Sequence, residues 1–244
     1  MVAIPVDVLL EILRHVDKPD IATLCRVNKI VGSCSQNVLY REILYRDWRV
    51  LPTLARSTDL ARRVRSFQNS GDHPGLTVAM RNMSSLRRLD LHRIDDVSIL
   101  DGCTFKLDSF DTTFPNSESL QRFLNSQTSL TNLIIRGDYK PFPPFDERCL
   151  PNLTRVKALP SWLVILIPGR PVREIDMDPP HRIDPIDLSF FTLSTTPIQK
   201  LQINYDMLYP KPASLLVSIF PSLVHLAVRV YEMEWPVRVP LFNR

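Results

Sequence analysis

From Val64 onward the chain repeats one apolar pattern, and that repetition limits what it can fold into. Two apolar residues stand three apart, often followed by a third two positions on. The pattern occurs as Val64-x-x-Phe67, Leu86-x-x-Leu89-x-Leu91, Leu107-x-x-Phe110 and Leu130-x-x-Leu133-x-Ile135. It continues as Leu153-x-x-Val156, Val172-x-x-Ile175-x-Met177, Ile198-x-x-Leu201-x-Ile203 and Leu223-x-x-Leu226-x-Val228. Successive starts lie about 19 to 26 residues apart. Apolar and polar residues alternate within each occurrence, which marks a short, half-buried strand. Helix-like stretches lie between, at Ser117 to Leu124, Pro160 to Ile167 and Pro212 to Phe220. Strand, turn, helix and turn in series predict parallel strands side by side with helices outside them. Most of the 21 prolines follow Lys140, where they punctuate the connections.

The first forty-odd residues have a helical rhythm instead. Pro5 suits the first turn of a helix, since its φ is fixed and it has no N–H to satisfy. Val6, Leu9, Leu10, Leu13 and Val16 form one apolar stripe, and Val8 with Ile12 a second. A surface helix needs only one apolar face. A short helix with two is a core helix or has a partner. The next helix is expected near Asp17 to Asp20, which have capping-box spacing, with Ile21, Leu24 and Val27 as its buried stripe. Asn28 is the expected cap of a third helix through Ile30, Val31 and Cys34, and Leu39, Tyr40 and Ile43 close the unit. So short a unit needs a staple or a partner, and no disulfide or metal pattern lies within it.

Taken in order, Ile4-Pro5, Leu9-Leu10, Ile12-Leu13, Asp20-Ile21, Val27-Asn28-Lys29-Ile30 and Leu39-Tyr40-Arg41 resemble an F-box. Ile4 stands for the family's opening Leu, Ile30 for its aromatic and Tyr40 for its Trp. The resemblance implies docking to the Skp adaptor, and so to the cullin core, of a Skp–cullin–F-box ubiquitin ligase. By the same resemblance the adaptor contacts are Ile4, Pro5, Leu9, Ile12, Leu13, Ile21, Ile30, Leu39 and Tyr40. The later pattern resembles leucine-rich repeats in degenerate form: Ile94 and Asp138 stand where that motif ends in Asn or Cys. The layout is similar to that of F-box proteins of fungi. The expected fold class is α/β: a three-helix F-box over 1–45, a helical linker over 46–70, and an irregular leucine-rich-repeat-like α/β solenoid over 71–244.

A target protein is then expected on the strand residues that point away from the core. These include Arg88, Asp90, Asn132, Ile134, Arg155, Lys157, Glu174, Asp176, Lys200, Gln202, His225 and Ala227. Six charged ones among them, Arg88, Asp90, Arg155, Lys157, Glu174 and Asp176, are the candidate target contacts, because a pattern of mixed signs can select a partner.

Little else in the sequence carries chemistry. His15, His73, His92, His181 and His225 have no ligand spacing to one another or to Cys25, Cys34, Cys103 and Cys149. Gly71-x-x-x-Gly75 lacks the Lys-Ser/Thr of a phosphate loop, and no Gly-x-Ser-x-Gly elbow occurs. Trp48, Trp162 and Trp235 are expected as core or edge anchors. Arg62-Arg63-x-Arg65 has the charge for phosphate, but without interleaved aromatics it is read as a solvated helix face. A net charge of +4 permits acidic partners without demanding nucleic acid. No run approaches the ~20 apolar residues of a membrane span. Asp7 and Glu11 interrupt the N-terminal apolar stretch, so no signal peptide is expected. Scattered thiols point to a reducing compartment, the cytoplasm or nucleus. Thus no cofactor, metal, nucleic acid or membrane partner is expected, and the protein is read as non-catalytic. A repeat-based scaffold without ligase association, or a hydrolase-like α/β enzyme, are the alternatives.

Overall fold

The structure is a computed structural model that describes residues 4–137, 146, 148–179, 187–204 and 217–229. The protein is mixed α/β, with nine parallel strands in one sheet and helices between them. The strands are β1 (Glu42–Ile43), β2 (Ser66–Ser70), β3 (Arg88–His92), β4 (Ser109–Thr112) and β5 (Asn132–Ile135), followed by β6 (Arg155–Ala158), β7 (Glu174–Met177), β8 (Lys200–Asn204) and β9 (His225–Arg229). They lie side by side in chain order.

Every apolar occurrence read from the sequence falls on one of β2 to β9. Pairing aligns Ile43 with Phe67, and then Leu89, Phe110, Leu133, Val156, Ile175, Leu201 and Leu226 in one row across the sheet. From Ile43 to Leu201 each of these side chains is buried, whereas Leu226 on the last strand is exposed. A one-residue slip would move a whole strand's apolar set to the other face, so burial fixes this register. The next inward row is mixed. Leu91, Ile135 and Met177 are apolar, whereas Asn69 and Thr112 are polar yet buried. Each polar member bonds the backbone just beyond its own strand. Asn69 Nδ2 donates to the Gly71 carbonyl at 2.6 Å, and Thr112 Oγ1 accepts from Phe114 N–H at 3.1 Å.

The connections carry α4 (Leu51–Arg56), α5 (Thr58–Ala61), α6 (Leu76–Asn82), α7 (Glu118–Ser126) and α8 (Pro160–Leu166). Of the helices expected between strands, Ser117 to Leu124 corresponds to α7 and Pro160 to Ile167 to α8. Ser117 caps α7, its hydroxyl accepting from Leu120 N–H at 3.3 Å. The stretch expected over 212–220 falls largely outside the described residues. Leu51, Leu54, Leu76, Met80, Leu120, Leu124, Trp162 and Leu166 bury the inner faces of these helices against the sheet rows. Trp162 donates its indole N–H to the Gly137 carbonyl at 3.0 Å, and Trp235 lies outside the described residues. Trp48 is not a core residue: it is exposed, stacked on His73 with ring centroids 4.9 Å apart.

The N-terminal unit is α1 (Val6–Arg14), α2 (Lys18–Leu24) and α3 (Lys29–Leu39), with α1 and α2 each packed on α3. Asn28 caps α3 as expected, its side chain accepting from Val31 N–H at 2.9 Å. Asp17 sits at the N-cap of α2 without a side-chain capping bond, so no capping box forms there. Gly32 lets α3 approach α2, for a Cβ at that position would lie 2.7 Å from the Cys25 carbonyl oxygen. Of the expected stripes, Leu13 and Ile21 are buried, Leu9, Leu10, Val16 and Leu24 are half-buried, and Val6 and Val27 are exposed. Val27 misses the core because α2 ends at Leu24, so the helical period no longer carries it inward.

The expected boundaries shift as well. Sheet pairing starts at Glu42–Ile43, inside the stretch read as helical to residue 45, and β2 occupies the end of the stretch read as a helical linker. Two residues are too short for a visible period, and Ile43 becomes a strand residue through its partner Phe67.

Candidate functional site

Two surfaces collect the residues singled out by sequence. On the helical unit, Ile4 is 58% exposed, Ile12 49% and Ile30 64%, with Val8 also open. Ile4, Val8 and Ile12 are spaced four apart, along one side of α1 and its entry. Pro5 is exposed too, while Leu9, Leu39 and Tyr40 are half-buried, Tyr40 against the core that continues into the sheet. Leu13 and Ile21, also among the expected adaptor contacts, are buried inside the helical unit in the free chain.

On the outward sheet face four of the expected target contacts, Arg155, Lys157, Glu174 and Asp176, stand together on β6 and β7 and pair with one another, while Arg88 and Asp90 lie on β3. Register sets Arg155 directly opposite Glu174, and Lys157 opposite Asp176. Arg155 Nη2 lies 2.6 Å from Glu174 Oε2, and Lys200 Nζ reaches Glu174 Oε1 at 2.9 Å. Lys157 Nζ is 3.0 Å from Asp176 Oδ2 and 3.3 Å from Asp178, and Arg229 also reaches Asp176 at 3.0 Å. Such directly opposed pairs stabilise a sheet modestly. The hydrogen bond from Lys200, joined by that from Arg155, holds the Glu174 carboxyl below its ordinary value. The basic Arg155 and Lys157 and the acidic Glu174 and Asp176 therefore neutralise each other.

Toward β3 and β4 the balance changes. Asp90 and Asp111 stand directly opposite, like charge on like. Asp111 takes a two-pronged bond from Arg136, at 2.8 and 3.2 Å, and faces His92 at 3.8 Å. Asp90 accepts from the Gln68 amide at 2.8 Å. Burial, with Asp111 nearby, pushes the Asp90 carboxyl up. Tyr45 sits against His92, ring centroids 5.9 Å apart, and burial together with the two aspartates raises its phenol. Tyr45, Asp111, Arg136 and Arg229 were not in the row read from sequence. Asp111 follows Phe110 directly, a position that the repeating pattern itself marks as outward.

Nothing on either surface is a nucleophile poised by a base. Burial pushes the thiols of Cys25 and Cys149 up and that of Cys103 to about 11, so thiolates are scarce at neutral pH. All four cysteines are free. Among the described residues no three His, Cys, Asp or Glu side chains converge to hold a metal ion. Among them, too, no helix is long and apolar enough to cross a membrane. A scan against protein-family models finds no match, and no curated protein matches the chain.

Proposed function

We propose that the protein is the substrate-receptor subunit of a Skp–cullin–F-box ubiquitin ligase. Its N-terminal helices act as the F-box that holds the Skp adaptor, and through it the cullin core. The strands and helices that follow act as a degenerate leucine-rich-repeat solenoid, whose outward face holds a target protein. In this reading the protein is a non-catalytic receptor that works in the cytoplasm or nucleus. The supporting observation is the exposure of Ile4, Ile12 and Ile30 on a unit with few buried side chains of its own. An apolar side chain left in water gains roughly 1.5–3 kcal/mol when a partner buries it fully.

The test is co-purification with the Skp adaptor at micromolar concentration, beside thermal melts. Ile4→Ala with Ile12→Ala weakens capture by about tenfold to a hundredfold and leaves the melting temperature unchanged. If the wild type fails to retain the adaptor, the ligase reading falls, and a repeat-based scaffold without ligase association takes its place.

A further inference from the structure

Where the helical unit meets the first strands, the fold gathers arginines from separate parts of the chain. A cavity of about 290 Å³ is lined by Arg14 at the end of α1, Arg41 after α3, and Arg62, Arg63 and Arg65 between α5 and β2. Leu10, Val38 and Asn37 complete the lining, and no carboxylate is part of it. A guanidinium does not shed its proton in a protein, so repulsion among these five groups is not relieved by titration.

Three of the five are tethered through one nitrogen each. Arg63 Nη1 donates to the Ser33 carbonyl at 3.0 Å and to Asn37 Oδ1. Arg65 Nη1 donates to the Ser85 carbonyl at 2.8 Å, and Arg14 Nη1 pairs with Glu11 at 2.6 Å. The tethers leave the other guanidinium nitrogens available. Arg41 and Arg62 have no side-chain partner among the described residues.

We propose that this cavity binds a phosphate monoester. A guanidinium grips phosphate through two parallel N–H donors, and several around one cavity match a group that carries about −1.5 to −2 charges. The volume is near the lower end of small-molecule sites, which span roughly 300–1,000 Å³. With no aromatic side chain in the lining, nothing stacks a base, which disfavours single-stranded nucleic acid. The phosphate belongs to a soluble ester or to a phosphorylated residue of a protein segment. The site does not depend on adaptor binding.

The test is calorimetric titration of the full chain at about 0.15 M ionic strength. The probes are glycerol phosphate, a phosphoserine peptide, its unphosphorylated twin and a short single-stranded oligoribonucleotide. We expect glycerol phosphate or the phosphopeptide to bind, and Arg41→Gln with Arg62→Gln to weaken that binding about tenfold or more. The unliganded melting temperature of this variant stays unchanged. Tighter binding of the phosphopeptide than of glycerol phosphate assigns the protein segment, and the reverse assigns the soluble ester; either upholds the site. Binding of neither phosphate probe, equal binding by variant and wild type, equal binding of the two peptides without binding of glycerol phosphate, or preference for the oligoribonucleotide would overturn it.

Discussion

The helical unit and the sheet spend their apolar residues differently. Among the described residues, α1 to α3 bury Leu13, Ile21 and Cys34 while leaving Val6, Val8, Ile12 and Ile30 in water. From β2 to β8 the row from Phe67 to Leu201 is buried throughout, with the helices closing over it. In the sheet region the buried Arg170 guanidinium donates to the carbonyls of Cys149, Ile165, Pro168 and Asp146 at 2.8 to 3.0 Å. Single unpartnered buried oxygens occur in both regions, on Ser35 in the helical unit and on Asn132 and Asp176 in the sheet. A region that closes its own core needs nothing further to be stable. One that leaves apolar side chains open has surface to give to a partner, and it leans on its neighbour meanwhile. That support includes Arg63 on the Ser33 carbonyl and Lys18 paired with Asp47 at 2.8 Å.

The contrast is broken most forcefully by truncating one apolar residue in each region. Leu133→Ala, at the middle of the buried row, is expected to cost about 2–5 kcal/mol. Ile30→Ala is expected to stay within about 0.5 kcal/mol. Urea unfolding of both variants measures the gap, and similar costs would remove the distinction. Arg170→Ala tests whether the sheet region depends on its buried polar bonds. Stranding those carbonyls is expected to cost at least about 3 kcal/mol, read as a lowered urea midpoint with an unchanged slope.

A smaller effect separates two parts of the outward sheet face by pH. Asp90 has its carboxyl pushed above the ordinary 3.8 by burial and by Asp111, so its ionisation opposes folding. The stability it confers is fully present below pH 3.8 and is lost as pH rises through its folded value. Asp90→Asn is therefore expected to raise the melting temperature at pH 7 and to leave it unchanged at low pH. Glu174 is held below the ordinary 4.5, chiefly by Lys200, so its contribution is present above pH 4.5 and lost as pH falls through its folded value. Glu174→Gln is expected to lower the melting temperature at pH 7, with the difference vanishing in acid. Melts across pH 2 to 8 check both signs.

The sheet was legible because alternation is a local signal. Eight apolar occurrences named eight strands, and their shared fourth position became one row, buried from Phe67 to Leu201 and open at Leu226. β1 was not, since Glu42–Ile43 has no period of its own. Arg155 and Glu174 were both found as outward residues, yet their pairing depends on register between strands, which no single strand encodes. Arg170 reads as a surface charge until four carbonyls are brought around it. Arg62, Arg63 and Arg65 were visible as a cluster, whereas Arg14 and Arg41 join them only through the packing of α1 and α3. On the helical unit, periodicity found Leu13 and Ile21 as inward residues, but it does not tell a face that closes a core from one that awaits a partner.

Native-state hydrogen exchange, with and without the Skp adaptor, tests the division between the regions most directly. In the free chain the amides of α1 to α3 are expected to exchange faster than those of β3 to β7, because so few buried contacts hold the helices closed. Adding the adaptor is expected to slow exchange in α1 and α3 and to leave β3 to β7 unchanged. Equal protection in the two regions, with no response of the helices to the adaptor, would contradict the account.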